Sequence, residues 1–323
     1  MPRQQGQPVV IYLIVTSLIW AFSFGLIKVS FHGVDADLVA AARLFLALAV
    51  MLLFFRPRVL RDRKLCLLLF AVGGVQYGLM YVLYLGSFRF LAAHEVALFT
   101  CFTPIYVAMW DDLEHRTLRP VFLLTALLAA AGAALAVYQD VRRENLLCGF
   151  WLVQGSNLCF AAGQVRYRNL LASRPAVRDA DVFALLYLGA FLTALAAAAL
   201  TAPDTGLAAG LRQLTPKQAW AIVYLGVLAS GLCFFLWNFG ARRTDAGTLA
   251  VLNNAKLPLA VAVSLLFFHE KAANLPRLCL GSDLLLAALA ANEWYVRRAA
   301  ALSRQRLQAE GDPRKSSSRE SAP

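Results

Sequence analysis

Long apolar stretches recur along the chain at 9–27, 38–55, 66–86, 93–110, 119–138, 147–165, 181–201, 218–240, 246–268 and 277–296, parted by short polar segments. Each approaches the roughly 20 apolar residues that a helix needs to cross a hydrocarbon layer about 30 Å thick. The pattern predicts an all-α polytopic membrane protein with ten transmembrane helices. The first stretch follows a single cation, Arg3, after a short N-terminal segment, 1–8, and lacks a small-x-small cleavage site. It reads as a retained helix and not as a removed signal peptide. Residues 297–323 are polar, basic and rich in Ser and Arg, and read as a disordered tail.

Composition narrows the class without changing it. Hydrophobic residues make up 60% of the 323 residues and charged ones 15%, against about 45–50% and about 25% in soluble domains. An ordinary water-soluble enzyme is excluded on that ground. The formal charge of +12 does not point to nucleic acid, because the cations sit in short loops and in the tail. They form no single stripe interleaved with aromatics. The six cysteines, at 66, 101, 148, 159, 233 and 279, fall singly inside apolar runs and lack metal-ligand spacing. Most read as small buried hydrophobes.

Loop cations orient the bundle. With the N-terminus inside, the cytoplasmic loops and N-terminal segment hold 14 Lys and Arg against 8 in the outer loops, before the tail adds 7 more on the inside. Both termini are therefore expected in the cytoplasm. Ten helices divide into a first five-helix repeat, 9–138, and a second, 147–296, which enters from the opposite face. Gly86, Ala92 and Pro104 recur as Gly240, Ala246 and Pro258, each 154 residues later. This internal match predicts two inverted repeats, an architecture whose substrate site lies near the midplane between the halves.

Polar side chains are costly in lipid and should face the interior of the bundle. Thr16, Trp20 and Ser23 in the first span fall at helical spacing. So do Tyr77, Tyr81 and Tyr84 in the third, Gln154, Asn157 and Gln164 in the sixth, and Ser230, Phe234 and Trp237 in the eighth. Any one stripe is explained by helix packing; four together are better explained by a shared cavity. The ninth span carries Asn253-Asn254-Ala255-Lys256-Leu257-Pro258. Pro258 donates no N–H and disturbs the carbonyl of Asn254, so two amides, a freed carbonyl and an ammonium gather within one and a half turns. Lys256 reads as an anion-binding group, or alternatively as a structural lysine paired with Asp283 in the tenth span. Arg43 lies little more than one turn inside the second span and reads as a structural cation that snorkels to the interface. Glu95 opens the fourth span, where a helix N-terminus favours a carboxylate; it and Asp283 are the candidates for proton coupling. Pro104 and Pro258 are the expected hinges.

Phosphate-loop, zinc-protease and serine-hydrolase signatures are absent from the sequence. No cofactor or metal is implied, and transport would run on a solute or ion gradient. Several strings then acquire a family resemblance. The ten-span plan, Arg43-Leu44-Phe45, the prolines at 104 and 258, and His269-Glu270-Lys271 resemble the EamA-type drug/metabolite transporter superfamily. Trp20 through Phe24, Leu98 through Thr100 with Thr103-Pro104, and Gln154 with Ser156-Asn157 are similar to its bacterial biotin-transporter branch. Ala229 through Gly231, Trp237-Asn238, and Asp245 through Leu249 with Asn253-Asn254 carry the same likeness. The resemblance spans about residues 9–298. It implies a non-enzymatic secondary transporter of the bacterial inner membrane that takes up biotin or another small carboxylate. Asp283 stands where that branch is expected to hold an apolar residue. The expected binding residues are Lys256, Asn253, Asn254, Asn157, Gln154, Trp20, Tyr77, Tyr81 and Trp237. An exporter of amino acids, amines or drugs on the same fold is the alternative reading; a membrane-embedded enzyme is a remote one.

Overall fold

The computed structural model describes residues 7–116, 145–201, 207–241 and 275–310, with eight isolated positions between them. Among these residues every regular element is helical. Helix α1 (Gln7–Ser30) turns through Gly33, whose φ of 78° suits a residue without a Cβ, into α2 (Ala36–Leu52). Asp35 caps α2, accepting hydrogen bonds from the Asp37 and Leu38 amides at 2.8 and 3.0 Å. Asp62 caps α3 (Arg63–Gly73) in the same way through the Leu65 amide. Helix α3 loosens into a π-helical stretch, Gly74–Leu79, before continuing as α4 (Met80–Ser87).

The fourth predicted span is interrupted. Helix α5 (Ala93–Phe99) passes through a 3₁₀ turn, Thr100–Phe102, into α6 (Thr103–His115). Pro104 stands at the start of α6 and supplies no backbone donor to the preceding turn. The Thr103 hydroxyl donates instead to the Thr100 carbonyl at 2.7 Å.

Beyond the first half, α7 (Leu146–Ala172) and α8 (Asp179–Thr201) are long, and α9 (Leu207–Arg212) is short. Helix α10 (Pro216–Val223) opens on a capping box, with Thr215 and Gln218 each receiving the other's backbone N–H. It runs through a second π stretch, Tyr224–Leu232, into α11 (Cys233–Ala241). The last described element is α12 (Leu275–Glu310).

Six continuous stretches among the described residues are long and apolar enough to cross a membrane: Ile11–Ser30, Arg63–Ser87, Ala93–Glu114, Leu146–Ala172, Asp179–Thr201 and Pro216–Ala241. They fall on predicted spans one, three, four, six, seven and eight. Helix α2 falls on span two and α12 contains span ten. Spans five and nine lie outside the described residues, apart from isolated positions. The disordered tail expected from 297 is corrected as far as 310, because α12 continues to Glu310. Its last turns, Ala299 through Glu310, are built from Ala, Leu, Arg, Gln and Glu with a single Ser at 303. Those residues are polar enough to break the apolar pattern, yet they are good helix formers.

The burial pattern is that of a protein surrounded by hydrocarbon. Leu67, Leu200 and Trp220 are 71%, 82% and 74% exposed, while Thr16, Ser17, Ser23, Arg43, Gln154 and Asn157 are buried. An apolar exterior of this extent is untenable in water and natural in lipid. Helix α8 packs against α2 and α3, α7 against α4 and α6, and α1 against α11. At one end of the bundle, ion pairs join Arg56 to Asp181, Arg174 to Asp62 and Arg166 to Glu114. At the other, Arg89 meets Asp35, and Lys28 donates to the Phe88 and Leu91 carbonyls. Alternate loops among the described residues thus share an end. All six cysteines are free, with 101 and 233 buried but 148 and 279 exposed on the apolar exterior, so burial is not the general rule expected for them.

Candidate functional site

A cavity of about 90 Å³ lies inside the bundle, where α1, α2, α4, the 3₁₀ turn, the start of α6, α7 and α11 converge. Its aromatic wall is formed by Trp20, Phe24, Tyr81, Tyr84, Phe160 and Phe234, and its polar lining by Ser23, Arg43, Thr100, Thr103, Ser156 and Asn157. Small-molecule sites run from about 300 Å³ upward, so admitting a ligand of that class requires the walls to part.

The aromatic wall is held from outside. The Trp20 indole N–H donates to the Ala229 carbonyl at 2.9 Å, reaching across to the second π stretch. Its ring packs on Phe234 and Trp237 at centroid distances of 4.7 and 5.2 Å. The polar lining is organised by the break ahead of Pro104. Asn157 Nδ2 donates to the Phe99 carbonyl at 2.9 Å, and the Thr103 hydroxyl donates to Asn157 Oδ1 at 3.1 Å. Gln154 reaches the same carbonyl at 3.4 Å. These amides satisfy backbone that the interrupted helix leaves open.

Arg43 occupies the opposite wall. Its Nε donates to Ser230 Oγ at 3.0 Å and its Nη2 to Tyr81 Oη at 2.9 Å. The guanidinium carbon lies 4.1 Å from the centre of the Tyr81 ring. With 2% of its surface exposed, Arg43 does not snorkel. That correction follows from where α2 begins. Asp35 is its cap and Asp37 is buried within its first turn, bonded by the Thr201 hydroxyl at 2.9 Å. Arg43 therefore sits two turns in, too deep to reach the interface.

Of the nine expected binding residues, the structure brings Trp20, Tyr81 and Asn157 to the cavity. Tyr77 lies behind it, fully buried, accepting a hydrogen bond from Asn238 at 2.8 Å and stacked on Tyr187. Trp237 is buried behind Trp20, and Gln154 supports the broken helix. Asn253, Asn254, Lys256 and the second hinge, Pro258, lie outside the described residues. Glu95 is buried at the start of α5, and its Oε2 accepts the Ala92 amide at 2.7 Å, a capping contact. Asp283 is exposed on α12.

Sequence reading missed the Arg43–Tyr81–Ser230 cluster, because Arg43 lies outside the polar stripes and Ser230 carries no charge. It also missed Gln76 in the first π stretch. Gln76 is fully buried, with neither amide atom hydrogen-bonded among the described residues.

These features define a class: a multi-pass helical membrane protein with a polar, aromatic-walled cavity inside it. The EamA-like transporter family model matches residues 7–138 and 155–281, and the chain belongs to that family. The biotin transporter of Salmonella typhimurium is 38% identical over 292 residues, covering 89% of this chain and 94% of that one. That of Escherichia coli K12 is 38% identical over 285 residues, covering 86% and 90%. The probable biotin transporter of Pseudomonas aeruginosa is 39% identical over 284 residues, covering 87% and 96%. A solved structure described only as "Crystal structure of protein" shares the fold with a TM-score of 0.63. It is 17% identical, and the match covers 91% of this chain and 99% of that one.

Proposed function

We propose that this chain carries biotin into the bacterial cell across the inner membrane by alternating access. The observation that carries the reading is the cavity: an aromatic wall, hydrogen-bonding groups and a buried cation, inside a member of a transporter family. Biotin presents complementary chemistry, with an apolar thioether ring, a cyclic urea and an anionic valerate chain. The relatives named as biotin transporters match over most of their own length, which supports reading the whole chain this way.

The proposed architecture is ten helices in two inverted five-helix repeats, 9–138 and 147–296. Two observations support it. The family model matches twice, and the two π stretches fall in spans three and eight, the corresponding members of the two halves. The internal offset of 154 residues carries Gln76 onto Ser230, both within π stretches. π-Helical turns are concentrated at functional sites. Here they flank the proposed midplane. Asn253, Asn254 and Lys256 would complete the binding site from span nine, with Pro104 and Pro258 as paired hinges.

Expression in a biotin-auxotrophic, transport-deficient bacterium tests the function. Growth on trace biotin and saturable uptake of radiolabelled biotin are the expected results. Absence of uptake together with accelerated efflux of amino acids or amines would overturn the reading in favour of export. Orientation is tested by alkaline phosphatase fusions. A fusion after Ser303 is expected to be inactive and one at Arg143 active, as the loop charges require; the reverse pattern overturns the topology.

A further inference from the structure

Among the described residues, Arg43 is a buried cation without a counterion. No described carboxylate lies within 4.0 Å of it, and its Nη1 has no hydrogen-bond partner among the described residues. The other two guanidinium contacts are made by neutral hydroxyls, those of Ser230 and Tyr81, which also bond each other at 3.1 Å. The hydroxyls fix the plane of the fork but neutralise none of its charge. A guanidinium withdrawn from water in this way is strongly disfavoured unless an anion or water reaches it. The side chain lines the cavity, so the space beside it is where such an anion would stand.

The supports come from different parts of the chain. Arg43 is on α2, Tyr81 on α4 and Ser230 in the second π stretch. Tyr81 contributes both its hydroxyl and its ring face, and the ring also packs edge-to-face on Phe234 at 6.0 Å. The Ser230 carbonyl in turn accepts the Tyr187 hydroxyl. An arginine held on two sides, with a buried Nη1 that still lacks a partner beside a cavity, is the arrangement that favours carboxylate recognition through a planar fork once the walls part.

We propose that Arg43, oriented by Tyr81 and Ser230, receives the substrate's carboxylate at Nη1. The proposal rests on the reading of this chain as a carboxylate transporter and deepens it, assigning the anion-binding role to a described residue of the first half. Anion arrival would also tie α2, α4 and the second π stretch to one ligand.

The test compares biotin with its neutral methyl ester as competitors of radiolabelled biotin uptake, and as thermal stabilisers of the purified full-length protein in detergent. The wild-type protein is expected to prefer the acid at least about 10-fold. Arg43→Gln is expected to bring that preference to within about 3-fold. Arg43→Lys keeps the charge but not the fork and should fall between them. A purely structural arginine would weaken acid and ester alike and leave their ratio unchanged; that outcome overturns the assignment. Where Arg43→Gln is not recovered folded, Tyr81→Phe serves. It retains the ring but loses the hydroxyl that holds Nη2, and an unchanged acid-to-ester ratio in this variant also overturns the assignment. A wild-type protein that neither takes up nor binds biotin overturns the functional reading itself. Uptake by the wild type with full acid preference in Arg43→Gln removes Arg43 alone.

Discussion

Gly189→Ala is expected to remove most of the folded protein from detergent extracts, whereas Gly86→Ala is expected to leave its yield and melting temperature close to wild type. At Gly189, α8 crosses α3 so closely that a Cβ would clash with the Phe70 carbonyl oxygen. The Gly74 amide nitrogen would stand only 3.1 Å away. At Gly73, on the other side of the same crossing, a Cβ would clash with the Leu186 carbonyl. The obstructing atoms are backbone on both sides, so no rotamer change relieves the overlap and the helices must separate. Overpacking in a core costs about 1–3 kcal/mol when side chains can yield; here the cost is expected at or above the top of that range. Gly86, by contrast, would place a Cβ 4.0 Å from Leu152 Cδ1, an ordinary contact. The comparison is read by size-exclusion recovery and thermal unfolding of both variants. A Gly189→Ala protein with wild-type recovery would show that α3 and α8 do not cross at these glycines. Small residues at crossings matter more in lipid than in water, because helices there associate by close packing.

Much of the fold was legible because membrane insertion imposes a strong length rule on apolar segments. The spans predicted at 66–86 and 181–201 are found within three residues of their bounds, and the one predicted at 147–165 begins at 146 but runs on to 172. Hydropathy was less informative where a span begins with charge. Asp35 and Asp37 read as loop residues, yet one caps α2 and the other is buried in its first turn. That misplacement put Arg43 near the interface instead of in the interior. Helical periodicity correctly brought Trp20, Tyr77, Tyr81 and Trp237 inside. It had no means of separating a side chain that faces a cavity from one that faces the next helix. Tyr77 and Trp237 pack behind the cavity, while Trp20 and Tyr81 line it. The use of Asn157 and Gln154 to satisfy the Phe99 carbonyl depends on the 3₁₀ turn. Only the proline at 104 signals that turn in the sequence.

Lys256→Met is expected to weaken biotin uptake by about 10- to 150-fold in apparent affinity, while leaving expression intact. Lys256 lies some ten residues from either end of predicted span nine, beside two asparagines and a proline-disrupted turn. An ammonium at that depth costs at least about 2.5–3.5 kcal/mol on insertion scales, so it requires water or an anion. Loss of one charge-assisted contact is worth about 1.5–3 kcal/mol, which sets the expected range of affinity. Methionine keeps the length and makes the span more apolar, so insertion should not suffer. If Lys256 instead pairs with Asp283, the substitution strands a carboxylate. Protein level or thermal stability then falls, and Asp283→Asn restores it. Arg43 makes the outcome more discriminating. Two cations serving one carboxylate are coupled, so the Arg43→Gln, Lys256→Met double variant should lose less than the combined single effects predict. Two independent cations give additive losses. Normal expression with undiminished affinity in Lys256→Met eliminates this lysine as a ligand and leaves Arg43 as the cation to which the valerate binds.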